Sequence, residues 1–415
     1  MIEIARHKLA NGLQIVHNKN AGTGMAAVNL LYKVGSKDES PIHTGLAHLC
    51  EHLMFGGTKE APNFDSVLLE AGGRNNAWTN NDITNYYETL PTCNIETAFW
   101  LEADRMQNLL LDDKSIEVQR KVVQEEFKQR YLNAPYGDVW HILRDMAYKK
   151  HPYRWPVIGK HLNDIETVSP QTIREFYNRH YCPNNAILSV VGDIDSDEIF
   201  KLAEKWFGGI PSSKSVKSEI CEEPEQSEDR ELTVKKDVPH NMLLKAYHMC
   251  SRQGDKYPVY DLLSDILANG RSSRFYRNIF AKGNLVSSID ASISGDVHPG
   301  LFLIKAQLLP GISYETIERA IDEEINKLIS DGVNQQELQK ATNMFEMTTL
   351  SYCLTNESRA AELAYYEMLG DANGINHEID KYRKVTTDDI ANLAKNMFEN
   401  EHSSTLYYKT SRTEI

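Results

Sequence analysis

Long apolar runs are missing from this 415-residue chain. No stretch approaches the roughly 18 consecutive apolar residues that a membrane-spanning helix needs. Positive charge is in deficit: the formal net charge is −14 at pH 7, which argues against a phosphate backbone as partner. Cysteine is scarce and scattered. The six are Cys50, Cys93, Cys182, Cys221, Cys250 and Cys353, with no CxxC pair. That fits free thiols in a reducing compartment better than a disulfide framework. The amino terminus, MIEIARHKL, lacks a basic stretch followed by an apolar one, so the chain is expected in the cytoplasm. Its alternation reads instead as an edge strand. A Walker loop, a GxGxxG after a strand and a GxSxG elbow are also absent. What remains is ordinary globular material, 41% hydrophobic and 25% charged, with length for two or three domains.

One compositional break stands out. Residues 211–231, PSSKSVKSEICEEPEQSEDRE, are rich in Ser, Glu and Lys and read as a solvated linker. The segments on either side resemble each other. AAVNLLYKVGS leads into a helix ending HLCEHLMFGG, and MLLKAYHMCSRQGD leads into one ending DLLSDILANG. Side by side, His48 falls on Asp261, Glu51 on Ser264, His52 on Asp265 and Gly57 on Gly270. NYYETLPTCNIETAFWLEADRM and LFLIKAQLLPGISYETIERAIDEEI share the order strand, Pro turn, amphipathic helix. A duplicated α+β unit of about 200 residues follows. Locally, Ser40-Pro41 predicts a helix start and Gly56-Gly57 its end. Residues 63–70, 94–110 and 113–131 read as helices. Residues 74–79 and 83–90 read as strands joined by Asn80-Asn81-Asp82.

The strongest chemical signal is His48-Leu49-Cys50-Glu51-His52. Positions i and i+4 of a helix share a face, so the two imidazoles can grip one metal ion. Glu51 points to the same side and could take a proton from a metal-bound water. The order HxxEH reverses the HExxH zincin motif. Leu46, Leu49, Leu53 and Met54 already form an apolar face, so a core helix gains nothing from the His-Glu-His cluster beside it. Catalytic zinc usually takes three protein ligands and leaves one position open. The helix SIEVQRKVVQEEFKQR offers Glu125 and Glu126 as the third. Glu126, four after Val122 and three after Val123, falls on the inward stripe and is favoured, because a carboxylate there needs a partner. The hairpin GGRNNAWTNNDITNYY follows. By itself it reads as an ordinary polar-faced hairpin, although an exposed edge beside a metal could bind an extended peptide.

GSKDESPIHTGLAHLCEHLMFGGT resembles the signature of the pitrilysin / insulin-degrading-enzyme family of zinc peptidases. NNAWTNNDITNYYETLP resembles that family's substrate-edge strands, and RKVVQEEFKQRYLNAPYG its helix bearing the third ligand. HPYRWPVIGK, FYNRHYCPNNAILSVVGDID and GRSSRFYRNIF extend the likeness over almost the whole chain. Length and repeat are closest to the mitochondrial processing peptidase branch and its bacterial homologues. The resemblance implies one Zn2+ per chain held by His48, His52 and Glu126, with Glu51 as catalytic base. It implies that the strand around Asn76, Ala77 and Trp78 pairs with the substrate backbone. It also implies two homologous α/β-roll domains, each an antiparallel-rich sheet packed against helices, forming one half of a clamshell chamber. Residues 1–212 would be the catalytic domain, 213–231 an acidic linker and 232–415 the non-catalytic copy.

Peptide substrates and a second subunit, from a homodimer or a heterodimer, are the expected partners; nucleic acid and membrane are not. Two departures from the family pattern matter. Gln119 stands where many members have a Glu supporting the zinc shell. Phe280 and Ser287 match the positions of an Arg/Tyr pair that holds substrate across the chamber, and neither can do that work. Tyr276 and Arg277 lie near with the wrong order and spacing. A homologous partner would then supply Arg and Tyr. The rival expectation is a non-catalytic scaffold like the respiratory-complex subunits of this fold, which typically have a degraded metal motif.

Overall fold

The computed structural model describes residues 1–214, 219–283 and 285–412. Among them, eleven strands form two mixed sheets. In the first, β1 (Ala5–Lys8), β2 (Gln14–Lys19), β3 (Met25–Tyr32), β4 (Arg74–Thr79), β5 (Thr84–Pro91) and β6 (Ala186–Gly192) lie in the order β1-β2-β6-β3-β5-β4. In the second, β7 (Arg230–Lys236), β8 (Met242–His248), β9 (Val286–Ile293), β10 (Leu301–Leu308) and β11 (Ser403–Thr410) lie in the order β7-β11-β8-β10-β9. Without β1, the two orders are the same. Each has one parallel pair, β2 with β6 and β7 with β11, and every other pair is antiparallel. The repeat read from sequence is therefore a repeat of topology. The α+β class holds.

The chain divides into two compact units. One comprises Met1–Gln129, Trp155–Cys221 and Leu350–His377; the other comprises Arg130–Arg154, Glu222–Thr349 and Glu378–Ile415. A single cut in the linker does not describe this. Each sheet has an apolar face that needs a cover. In the first unit the helix Asn356–Met368 covers it, packing Ala360, Leu363 and Ala364 on Val16, Ala27, Leu31, Ile187 and Val191. In the second, the helix Val139–Ala147 does so, with Leu143 and Met146 against Leu244, Leu303 and Leu406. Each cover comes from the other half of the sequence.

Of the expected linker, residues 215–218 lie outside the described residues. Its later part is docked rather than solvated. The Glu223 carboxylate accepts from the backbone N–H groups of Lys149, Lys150 and His151 at 2.7–2.8 Å, and Gln226 is buried, donating to the Ser403 carbonyl. No helix among the described residues is long and apolar enough to cross a membrane.

In the second unit the helix Tyr257–Ala268 follows β8 as the His helix follows β3. It carries Asp261 and Asp265 where the repeat alignment sets His48 and His52. Asp261 Oδ2 accepts from the Tyr382 hydroxyl at 2.6 Å, yet burial pushes its carboxyl up to about 6. The folded chain then holds a proton that the unfolded chain, with a carboxyl near 3.8, has released. This contribution is full below the unfolded value and is lost as pH rises through about 6. Asp261→Asn should flatten the loss of stability between pH 4 and 7.5 by about 2 kcal/mol in urea titrations; an unchanged slope would contradict the assignment.

Candidate metal centre

The central strand β3 is buried on both faces from Ala26 to Tyr32, so its apolar run fits the middle of the sheet. The helix Leu46–Leu53 follows. It does not begin at Ser40-Pro41. It begins after Gly45, whose φ of +90° is left-handed and where a Cβ would meet the Ile158 carbonyl oxygen at 2.6 Å. The start is fixed by Glu39 instead. Its buried carboxylate accepts from the backbone N–H of Gly45 and of Ala47, both at 2.9 Å. Two orphan donors of the first turn are thereby satisfied, and Ser40-Pro41 is left outside. Leu46, Leu49, Leu53 and Met54 are buried as the apolar face requires. Cys50 is also buried, and burial pushes its thiol up, away from the thiolate that a ligand needs.

The opposite face meets the helix Asp113–Phe127. This helix is N-capped by Asp112, which accepts from Ser115 N–H at 2.7 Å, and is tethered by Arg120 donating to the carbonyls of Glu166 and Val168. Its buried stripe is Ile116, Val123 and Phe127; Val122 is exposed, contrary to its expected inward place. Glu126 falls beside that stripe, in the last turn before a π-helical turn over Lys128–Leu132. Glu125 points to solvent and pairs with Lys128 at 2.7 Å. Gln119 is half-buried two turns before Glu126.

Glu126 Oε2 lies 3.3 Å from His52 Nε2 and 3.7 Å from His48 Nε2, and the two imidazole rings are 4.8 Å apart at 81°. The side chains are only 13%, 25% and 16% exposed for His48, His52 and Glu126. Two bonds of about 2.0–2.1 Å from a tetrahedral cation place their donor atoms about 3.3 Å apart. One pair of donors is at that spacing, and all three donor atoms lie within 4.8 Å of one another, so the groups converge on one point with side-chain types that zinc takes. No other group of three or more His, Cys or carboxylate ligands converges in this way among the described residues.

Glu51 is held from the sheet. Thr79, the last residue of β4, donates from Oγ1 to Glu51 Oε2 at 2.5 Å. The Thr84 hydroxyl donates to the Val34 carbonyl, fixing the start of β5. The turn between them is as the sequence predicts: Asn80 Oδ1 accepts from the backbone of Asp82 and Ile83. β4 ends the sheet order, so one of its edges has no strand beside it among the described residues. Asn76, Ala77 and Trp78 lie on it, with Asn76 and Trp78 exposed and Ala77 half-buried. Sequence reasoning missed Thr79 and Glu39. Each is an ordinary polar residue whose role depends on a contact made across a turn or a strand.

An inverted HxxEH helix facing a carboxylate from a second helix, inside a duplicated α+β fold, defines a metallopeptidase. Comparison with known proteins agrees. Residues 14–159 match the family model described as "Insulinase (Peptidase family M16)", and residues 167–345 match "Peptidase M16 inactive domain". The chain is 30% identical over 410 residues to the zinc protease PqqE of Helicobacter pylori, covering 97% of this chain and 91% of that one. The crystal structure of a protease from Helicobacter pylori superposes with a TM-score of 0.93 at 30% identity, covering 99% of this chain and all of that one. Pitrilysin shares the fold at 19% identity and a TM-score of 0.80; all of this chain matches 45% of it. The chain belongs to the M16 (pitrilysin/insulinase) family of zinc proteases.

Proposed function

We propose that this chain is a zinc-dependent endopeptidase acting on peptides or unfolded polypeptide segments, and one subunit of a dimer. One observation carries the reading: His48, His52 and Glu126 converge beside a Glu51 carboxylate that an edge strand holds in place. Zinc bound by these three, one ion per chain, would polarise the scissile carbonyl and lower the pKa of its bound water. Glu51 would accept the proton of the attacking water and hand it to the leaving amine nitrogen. Along β4, the backbone of Asn76, Ala77 and Trp78 would pair with an extended substrate. The pairing would set the scissile bond relative to Glu51, because Thr79 closes the same strand.

The developing oxyanion needs further donors. Phe280 stacks on Tyr276 at 5.1 Å and Ser287 Oγ donates to the Gln307 carbonyl at 3.3 Å, so neither supplies the guanidinium or the phenol of an Arg/Tyr pair. Correspondence with 45% of pitrilysin supports pairing with a second, homologous chain, identical or not. Hydrolysis of an internally quenched peptide by the pure chain, alone and with a candidate homologue, tests this. Chelation should abolish cleavage and zinc should restore it; cleavage indifferent to chelation would overturn the reading. Full activity of the chain as a monomer would refute the dimer.

Thr79 supplies a finer test. A hydrogen bond to a charged group contributes about 1.5–3 kcal/mol. Thr79→Ala should lower kcat about tenfold with KM and zinc content unchanged, and Thr79→Ser should restore most of it. Initial rates of the three proteins decide; equal kcat values would remove Thr79 from the mechanism.

A further inference from the structure

One short segment is bonded both to the end of β4 and to the His helix. Between β3 and that helix, Ser36–Asp38 forms a single 3-10 turn. On one side it is fastened to the turn that ends β4. Ser36 N–H donates to the Asn80 carbonyl at 3.2 Å, and Lys37 N–H to the Asn81 carbonyl at 2.9 Å. Gly35 permits this approach, because a Cβ there would stand 2.4 Å from the carbonyl carbon and oxygen of Asn81. On the other side the segment runs into Glu39, whose carboxylate fixes the first turn of the His helix. All of these residues belong to the first unit.

A buried cation closes the contact. Lys37 Nζ donates to the Asp82 carbonyl at 2.8 Å and pairs with the carboxylates of Asp38 at 3.1 Å and Asp82 at 3.6 Å. The three side chains are 13%, 7% and 3% exposed for Lys37, Asp38 and Asp82. Burying an ammonium is costly unless it is paired, and here its partners come from both sides of the contact. Asp38 is oriented in turn by accepting from Gly35 N–H at 3.0 Å. Trp155 fastens the same segment, donating to the Ser36 carbonyl at 2.9 Å.

The consequence is geometric. β4 ends at Thr79, whose hydroxyl holds Glu51, and the Asn80–Asp82 turn follows at once. Lys37 therefore fixes the turn beside the peptide-binding edge. Glu39, two residues on, fixes the helix that carries Glu51 and two of the zinc ligands. The separation of edge and metal is thus set through the chain from Gly35 to Glu39 as well as through the sheet. Catalysis is sensitive to that separation, since a displacement of about 1 Å can cost about a hundredfold in rate.

We propose that Lys37 is a positioning residue that sets the register of a bound peptide against the metal and Glu51. The assignment rests on the peptidase reading above. Lys37 acts through the Asn80–Asp82 turn, so its removal displaces the edge while leaving the zinc ligands and the backbone of β4 in place.

The test compares Lys37→Met and Lys37→Arg with the parent, all zinc-loaded and with a homologous partner where hydrolysis requires one. Each protein digests the same unlabelled peptide, long enough to span β4, and mass spectrometry gives the fraction cut at each bond. Lys37→Met should lower kcat about tenfold with KM and zinc content unchanged. The fraction cut at the parent's preferred bond should fall at least twofold, with neighbouring bonds gaining. Lys37→Arg keeps the charge and the donors and should restore both quantities to within threefold. Lys37→Met leaves two buried carboxylates without their cation, so its melting temperature should fall whatever its role. Rates are therefore taken per folded protein, well below that temperature. If Lys37→Met does not fold, Asp38→Asn withdraws one partner of the same ammonium and should shift the cut fraction in the same direction. A lower melting temperature with the parent's kcat and cut pattern would overturn the positioning role and leave Lys37 as packing. So would a loss of kcat that Lys37→Arg does not restore. Absence of hydrolysis in the parent itself would instead overturn the peptidase reading, and the positioning role with it.

Discussion

Glu51→Gln should keep about one zinc per chain and lose about a thousandfold in kcat, within the range for removing a general acid–base group. The substitution is nearly isosteric. Its amide oxygen can still accept from the Thr79 hydroxyl that Glu51 holds at 2.5 Å, so the helix and the ligand pair keep their places. What the amide lacks is the capacity to take a proton at neutral pH. Circular dichroism and zinc content should match the parent, with the loss confined to turnover. A fall of less than tenfold would remove Glu51 from the chemistry, leaving its contact with Thr79 as packing of the helix on the sheet.

Replacing His48 and His52 together with Ala should remove both the zinc and the activity. Two of the three converging donors disappear, and Glu126 alone offers one carboxylate. The parent should gain thermal stability from added zinc, about 4 kcal/mol when the free ion is a thousandfold above its dissociation constant. The double variant should gain almost nothing in the same melt. Two single variants separate neighbours on the facing helix. Glu126→Gln should lose the zinc-dependent shift. Glu125→Gln should keep it, since Glu125 is turned to solvent and paired with Lys128. Retention of one tightly bound zinc in the double variant would place the metal elsewhere.

The legible parts of this site are those whose geometry is local. His48 and His52 are one helical turn apart, so their shared face follows from helix period alone. The choice of Glu126 over Glu125 needed only a stripe, and Val123 and Phe127 carry it even though Val122 is exposed. The turn at Asn80 is local for the same reason. What failed was the start of the His helix. Ser40-Pro41 is a sound local signal, but Glu39 satisfies the donors of Gly45 and Ala47 across an intervening loop. Thr79 was invisible because its partner Glu51 lies 28 residues earlier and on another element.

The fold divides along the same line. The repeat was legible, because strand, turn and helix recur in the same order. The helices that cover the two sheets were not. Val139–Ala147 and Asn356–Met368 each have an apolar face, but nothing local says which sheet it meets. The Arg105 cluster is a further case. Its guanidinium is buried with Glu102 and Glu88 and lies over the rings of Tyr86 and Phe64 at 4.4 and 4.5 Å. In sequence these are three ordinary charges; only burial makes each depend on the others.

The proposed centre holds one zinc ion between His48, His52 and Glu126, beside the Glu51 that the end of β4 fixes. An anomalous-difference map at the zinc edge, from crystals of the zinc-loaded protein, tests it most directly. One strong peak per chain is expected, about 2.0–2.2 Å from a nitrogen of each imidazole and a Glu126 carboxylate oxygen, with a further coordination position open towards Glu51. A peak held by other side chains, or one that leaves Glu126 beyond bonding distance, would contradict it.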